Sequence, residues 1–411
     1  MSKLLDYLHA EHATTSLEDM AEQMMESFGV SIRNEGDLFQ FKYNMIAAKW
    51  LEPVTHECRG AIVRRENGKW TFVTRPFDKF FNQSEGHCPY FDEKIFNANI
   101  HDMWLAEKAD GTCIQVWYDH KEARYRASTL GTITPFQVYD FDITFDALFS
   151  KTLGVEIADI SEEVFDKGKT YIFELCAPEN RILTQYATPK VFLLGIRDNL
   201  TGAYGTTLDA INVITNCTNL GYNISSPKLV KLSSTNISSL QSVRLLVEDA
   251  IHMVDIFGKY PEGFVIYKDY QPVAKMKNSQ YLSLHGISGG DHKHTKNVVI
   301  ASFFNGTLDD IYDVLVDTMR DFADSLRDKV AILFTDLQHA FKIVKSTEFA
   351  SQKDYALCVM SNVKGSFVSF FFTKKDQILN KNINEMDLFT DWLKLNYSKF
   401  DDYWKKDEMP S

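Results

Sequence analysis

The sequence predicts an α+β protein, with an N-terminal domain of antiparallel sheets and flanking helices followed by an all-helical C-terminal domain. Three observations point there. From about residue 36 to 285 the chain runs as short β-rich segments broken by turn residues, most sharply at Asn67-Gly68. Beyond about residue 290 glycine is scarce and apolar residues recur at spacings of three and four. A chain of 411 residues also exceeds what one small core organises, so two domains are expected.

Taken in order, residues 3 to 28 read as helical, with Leu4, Leu5, Leu8, Met20, Met24 and Met25 at helical spacings. "GAIVRRENGKWTFVTRP" is a hairpin, and "TCIQVWYDHKEARYRAST" a second one. "KTYIFELCAPENRIL" contains a strand, "VFLLGIRDNLTGAYG" runs from a strand into a turn, and "EGFVIYKDYQPVAKMK" is a strand pair. The segment "SVRLLVEDAIHMVDIFG" is helical, as are the long stretch from "TLDDIYDVLV" to "FKIVK" and the final "MDLFTDWLKLNYSKFDDYWKK". Gly289-Gly290 marks the boundary, giving domains 1–289 and 290–411.

Composition narrows the class. At 45% hydrophobic and 24% charged residues the chain is ordinary globular protein. The N-terminus lacks the pattern of a secretory signal, and apolar runs such as "FVSFFF" are far short of a membrane span. Six scattered cysteines with no C-x-x-C pair fit reduced thiols in a cytoplasm. His87-Cys88 and His292-Lys-His294 read as solvated loop residues rather than metal ligands. The net charge of −12, from 44 basic and 56 acidic residues, argues against indiscriminate coating of nucleic acid but leaves room for a local basic groove.

Five clusters in the β-rich part carry chemistry. Lys108, with Asp110 and Gly111, stands in "EKADG". A neutral lysine amine can attack the α-phosphate of a nucleotide if it lies in line with the leaving pyrophosphate. Arg59-Gly60, Arg75 and Lys79 supply cations suited to β- and γ-phosphates, although alone they read as hairpin surface charge. Glu174 sits in an apolar strand and needs a partner, such as a ribose hydroxyl, a metal-bound water or Arg181. Glu262 follows in "PEGFVIYKD", then Lys275 and Lys277, whose alternation puts both amines on one strand face. That pair calls for an anion between the lysines, or else marks a protected edge strand. Each cluster has a bland reading. Their order, nucleophile, strand glutamate, second glutamate and lysine pair, fits one α-phosphate.

Together they resemble the covalent lysine nucleotidyltransferase superfamily, and more narrowly the type 1 RNA ligases of T-even bacteriophages, ATP-dependent tRNA-repair enzymes. The matching stretches are "ECRG", "RPFDKFFN", "EKADG", "FELCAPENRI" and "KMKNSQYLSLH", spread over about residues 36 to 290. The resemblance implies an adenylyltransferase domain over 1–289 and a helical domain over 290–411 that contributes to RNA or tRNA specificity. It implies Lys108 as the lysine that carries AMP; Asp110, a second catalytic candidate beside it, either orients the lysine or assists the sealing step. It implies Arg59 and Lys79 on ATP phosphates, Glu174 on the ribose, Glu262 at the metal, Lys275 and Lys277 on the α-phosphate, and Tyr281 beside that lysine pair.

The implied cofactors are ATP and magnesium, with manganese as a substitute. The implied partner is RNA, above all tRNA with a cleaved anticodon loop, with no membrane; a monomer is favoured. One departure stands out. Where the family has a basic Ser-Lys-Gly-Ser type segment, this chain reads "RYRASTLGT", with Thr129 or Leu130 in the lysine's place, and Arg124 or Arg126 is the candidate replacement. The alternatives are a capping-type guanylyltransferase, a DNA ligase or a catalytically silent RNA-binding protein.

Overall fold

The structure, a computed structural model, describes residues 2–44, 47–82, 85–138, 141–180, 186, 188–235, 237–249, 262–268, 270–277, 292–305, 308, 312, 317–363, 365–379 and 384–400. The chain divides into two compact units. One comprises residues 1–14, 32–43 and 50–281, the other residues 15–31, 44–49 and 282–411.

The N-terminal helical stretch is two helices, Lys3–Glu11 and Leu17–Phe28. Ser16 starts the second, its Oγ accepting the Asp19 N–H at 3.1 Å, and Gly29 ends it in a left-handed conformation. Thirteen strands follow among the described residues, drawn from the first unit apart from residues 30 and 31. They are β1 (Val30–Glu35), β2 (Leu38–Tyr43), β3 (Arg59–Glu66), β4 (Lys69–Thr74), β5 (Phe81–Asn82), β6 (Met103–Glu107), β7 (Thr112–Asp119), β8 (Arg124–Thr129), β9 (Lys169–Cys176), β10 (Lys190–Asp198), β11 (Leu229–Lys231), β12 (Gly263–Lys268) and β13 (Gln271–Lys277). Three sheets result, in the orders β1-β2-β3-β4, β10-β9-β7-β8 and β11-β6-β12-β13-β5. The β3–β4 hairpin turns at Asn67 and Gly68, both with positive φ, as that dipeptide predicts.

The second and third sheets each bury one face. Ile114, Val116, Phe173 and Leu175 pack with Leu148, Phe149 and Val213 from the helices Phe145–Leu153 and Thr207–Asn219. Leu105, Phe264, Ile266, Ala274 and Met276 pack with Leu240, Val243 and Leu246 of the helix Leu240–Glu248. Each large apolar side chain so buried contributes about 1.5–3 kcal/mol, which fixes which face of each strand turns inward. Side chains alternate along a strand, so Cys113 and Glu174 on one sheet, and Lys275 and Lys277 on the other, are left on the faces away from these cores.

The described part of the second unit is helical, including His292–Asn305, Asp317–Ser346, Gln352–Asn362 and Glu385–Asn396. Its core is aromatic: Phe370 packs on Phe341, Phe389 and Trp392 with ring centroids 5.2 to 5.8 Å apart. Among the described residues no helix is long and apolar enough to cross a membrane.

Candidate active site

β6 ends at Glu107 in the third sheet and β7 begins at Thr112 in the second, so residues 108–111 form the crossover between them. The crossover is pinned through its backbone. The Lys108 N–H donates to the Gly263 carbonyl at 3.1 Å. The Asp110 N–H donates to Tyr186 Oη at 3.0 Å, and the Gly111 N–H to Glu174 Oε1 at 3.1 Å. A Cβ on Gly111 would lie 2.1 Å from the Leu175 carbonyl oxygen, so only glycine lets the loop sit this close to β9.

Glu262 immediately precedes β12, and the register Gly263↔Lys277 sets it beside the end of β13. Its carboxylate is buried and bridges two lysines. Lys108 Nζ donates to Oε2 at 2.9 Å, and Lys277 Nζ lies 2.5 Å from Oε1. Gly263 makes this approach possible, because a Cβ there would come 2.1 Å from the Met276 carbonyl oxygen. Lys275 opposes Val265 and is buried too. β13 lies between β12 and β5, so the lysine pair does not guard an exposed edge. The anion that the alternation called for is, for Lys277, Glu262.

Glu174 points from β9 toward the same loop. Burial pushes its carboxyl up to about 7, reinforced by the charges of Asp110 and Glu262; Lys108 and the Gly111 N–H pull the other way. Glu174 therefore feels the charges of two further carboxylates and of the nucleophile candidate. Cys113, which opposes Glu174, is pushed up to about 12, chiefly by burial. Its thiol stays protonated and does not compete with Lys108 as a nucleophile.

Arg59 opens β3. Its guanidinium lies 4.9 Å from the Phe80 ring centroid, with Tyr43, Cys113 and Glu174 as electrostatic neighbours. Its Nη1 is buried without a hydrogen-bond partner. Lys79 is held differently. Its Nζ pairs with Glu85 at 2.7 Å and lies 5.0 to 5.4 Å from the rings of Tyr43, Trp50 and Phe81. Such a cage holds a cation both by its charge and by the ring faces. His87, read from sequence as a loop residue, packs against Phe81 at 5.3 Å.

The structure thus brings together Lys108, Asp110, Gly111, Glu174, Glu262, Lys277 and Arg59, with Lys79 linked to Arg59 through Tyr43. Tyr281 and Arg181 lie outside the described residues. Arg75 lies 3.7 Å from Glu57 and stacks on Phe72. Arg124 and Arg126 are engaged at the far end of β8, Arg124 with Glu122 and Arg126 with Asp119 and Glu122. Sequence reasoning did not single out Tyr43, Tyr186 or Glu85. Glu85 alone had a nearby signal, lying six residues after Lys79; the two tyrosines reach the site through long-range closure.

Among the described residues no three acidic, histidine or cysteine side chains converge as a metal cage. Glu262, the residue expected at the metal, has its two carboxylate oxygens engaged by the Lys108 and Lys277 ammonium groups.

The chain matches the family model described as RNA ligase over residues 57–283. It is 26% identical over 320 residues to an RNA ligase of Rhodothermus phage RM378, covering 69% of this chain and 72% of that protein. It is 29% identical over 196 residues to RNA ligase 1 of bacteriophage TS2126, covering 46% of this chain and 47% of that one. An archaeal ATP-dependent RNA ligase of solved structure aligns with 87% of this chain and 88% of its own, at TM-score 0.44 and 12% identity.

Proposed function

Because this chain belongs to the RNA ligase family and is an RNA-joining enzyme, we propose that it works with ATP through a lysyl-AMP intermediate on Lys108. The observation that carries this reading is the Lys108 amine, 2.9 Å from Glu262, on a loop clamped to two sheets. Holding the amine in one place supports the positioning that phosphoryl transfer requires.

In the first step the Lys108 amine forms an N–P bond to the α-phosphorus of ATP. The bridging P–O bond to the β-phosphate breaks and pyrophosphate leaves. The amine sheds a proton first, and Glu262 Oε2 is placed to take it. Lys277 and Lys275 balance charge on the α-phosphate, while Arg59 and Lys79 hold the β- and γ-phosphates. Glu174 accepts from the ribose, and Asp110 either orients the lysine or assists the sealing step. Glu262 would hold a magnesium or manganese ion through water, and that ion would supply neutralisation of phosphate charge.

The 5′-phosphate of an RNA end then attacks the AMP phosphorus, releasing the lysine. Finally a 3′-hydroxyl attacks the RNA 5′-phosphorus, AMP leaves, and the strand is sealed. We assign the natural substrate as tRNA cleaved in its anticodon loop, with residues 290–411 contributing to its selection, Tyr281 completing the nucleotide site, and a cytoplasmic monomer as the working form. The free cysteines fit that compartment.

Mass spectrometry of protein incubated with ATP and magnesium tests the reading. It should find AMP on Lys108, and Lys108→Ala should form no adduct. An adduct elsewhere, or none, would overturn it. Cleaved tRNA competing against unstructured RNA tests the substrate, and equal rates of sealing would reject the tRNA assignment.

A further inference from the structure

We propose that Lys42, on β2, is a phosphate-binding residue of this site, acting beside Arg59 on the pyrophosphate end of the nucleotide. The inference rests on the adenylyl-transfer reading above and extends it to a residue outside the motifs.

Four observations converge. In the β2–β3 register Lys42 is the direct partner of Arg59, after an irregularity between Phe41 and Lys42. Direct cross-strand partners project from the same face, so the two side chains leave the sheet on one side. Arg59 Nη1, buried and without a hydrogen-bond partner, is a donor that a phosphate oxygen would satisfy.

The third observation is the turn after β8. Gln40 and Gln115 both donate to the Thr129 carbonyl, at 2.9 and 3.4 Å. A Cβ on Gly60, next to Arg59, would lie 2.7 Å from Leu130 Cα. The turn therefore closes directly over the start of β3. Lys42 Nζ reaches it, standing 3.4 Å from where a Cβ on Gly131 would be. Thr129 opposes Ile114 on β7, and the preceding Cys113 opposes Glu174 on β9. The amine thus lies on the turn that adjoins the Arg59–Cys113–Glu174 group.

The fourth concerns "RYRASTLGT", which has no lysine of its own. Arg124 and Arg126, its two basic residues, are bound to carboxylates at the opposite end of the strand. Lys42 reaches the turn from a neighbouring sheet and brings the positive charge the stretch lacks. Its side chain is exposed, as suits a group that meets a solvated triphosphate tail.

The test compares wild type, Lys42→Ala and Lys42→Arg in adenylation with ATP, in reversal of the adduct by pyrophosphate, and in sealing of RNA supplied already 5′-adenylated. The last reaction involves no triphosphate. Lys42→Ala should raise the ATP KM about tenfold with kcat within about twofold, and raise the pyrophosphate needed for reversal by a similar factor. Lys42→Arg should stay within about threefold of wild type, because it keeps the charge. An unchanged ATP KM in Lys42→Ala would refute the assignment. So would a parallel fall in sealing of adenylated RNA, which would mark a structural role. Wild-type protein that forms no adduct with ATP would instead bring down the adenylyl-transfer reading beneath it.

Discussion

Glu262 shares one buried carboxylate between Lys108 and Lys277. Removing one member of a buried ion pair typically costs about 3–5 kcal/mol. Glu262→Ala should therefore lower the denaturation midpoint clearly, besides abolishing adduct formation. Lys108→Ala, whose side chain is 21% exposed, should abolish the adduct with a far smaller midpoint shift. Equal midpoints for the two variants would show that Glu262 carries no such burden.

Glu174 gives a pH signature with the opposite sign from an ordinary salt-bridged carboxylate. Its pKa rises from 4.5 to about 7 on folding, chiefly through burial. Between those values the folded protein holds a proton that the unfolded chain has released. Stability is therefore lost as pH rises through that window, by on the order of 3 kcal/mol in total. Glu174→Gln should flatten the stability profile between pH 4.5 and 7. Denaturant titrations at pH 5 and pH 7 would decide it, and an unchanged slope in the variant would assign the effect to another group.

At the level of elements, the loop 108–111 depends on one small residue. Gly111→Ala forces a contact of 2.1 Å with the Leu175 carbonyl, and backbone on both sides must shift. Overpacking of this kind costs about 1–3 kcal/mol. The Gly111 N–H bond to Glu174 should be lost with it, so adenylation should fall more than stability alone accounts for. Thermal unfolding together with the adenylation rate checks this.

The same scale shows what the sequence made legible. Strand alternation put Lys275 and Lys277 on one face, and the apolar neighbours Ala274 and Met276 settle which face is the core. It did not reveal that β13 is interior, because its outer neighbour β5 is only two residues long. The order of motifs located Lys108, Glu174 and Glu262. It could not show that Glu262 bridges two lysines, which depends on the register Gly263↔Lys277 between strands. Arg59 read as surface charge because its enclosure by Phe80, Tyr43 and Glu174 comes from distant segments.

At the scale of the whole molecule, the two compact units are not two consecutive lengths of chain. Residues 15–31 and 44–49 belong with residues 282–411, although 1–14 and 32–43 belong with the sheets. Within the second unit Met20 and Met24, on the helix Leu17–Phe28, are fully buried. A groove of about 580 Å³ is lined jointly by that helix, through Leu17, Ala21 and Met25, and by Phe334 and Gln338 of the helix Asp317–Ser346. The obvious way to ask whether the C-terminal region selects tRNA is to delete residues 291–411. That deletion also takes away the partners of an N-terminal helix. The truncated protein should still form the Lys108 adduct, because every described member of the site lies in the first unit. It should also bind a hydrophobic dye such as ANS more strongly than the full chain, since burying apolar side chains is what held that helix in place. Replacing Met20 and Met24 by glutamine in the truncated protein should remove the extra dye binding without touching adduct formation. If truncation leaves dye binding unchanged, residues 15–31 find their own cover. A loss of tRNA preference on truncation then reports on RNA recognition rather than on a broken unit.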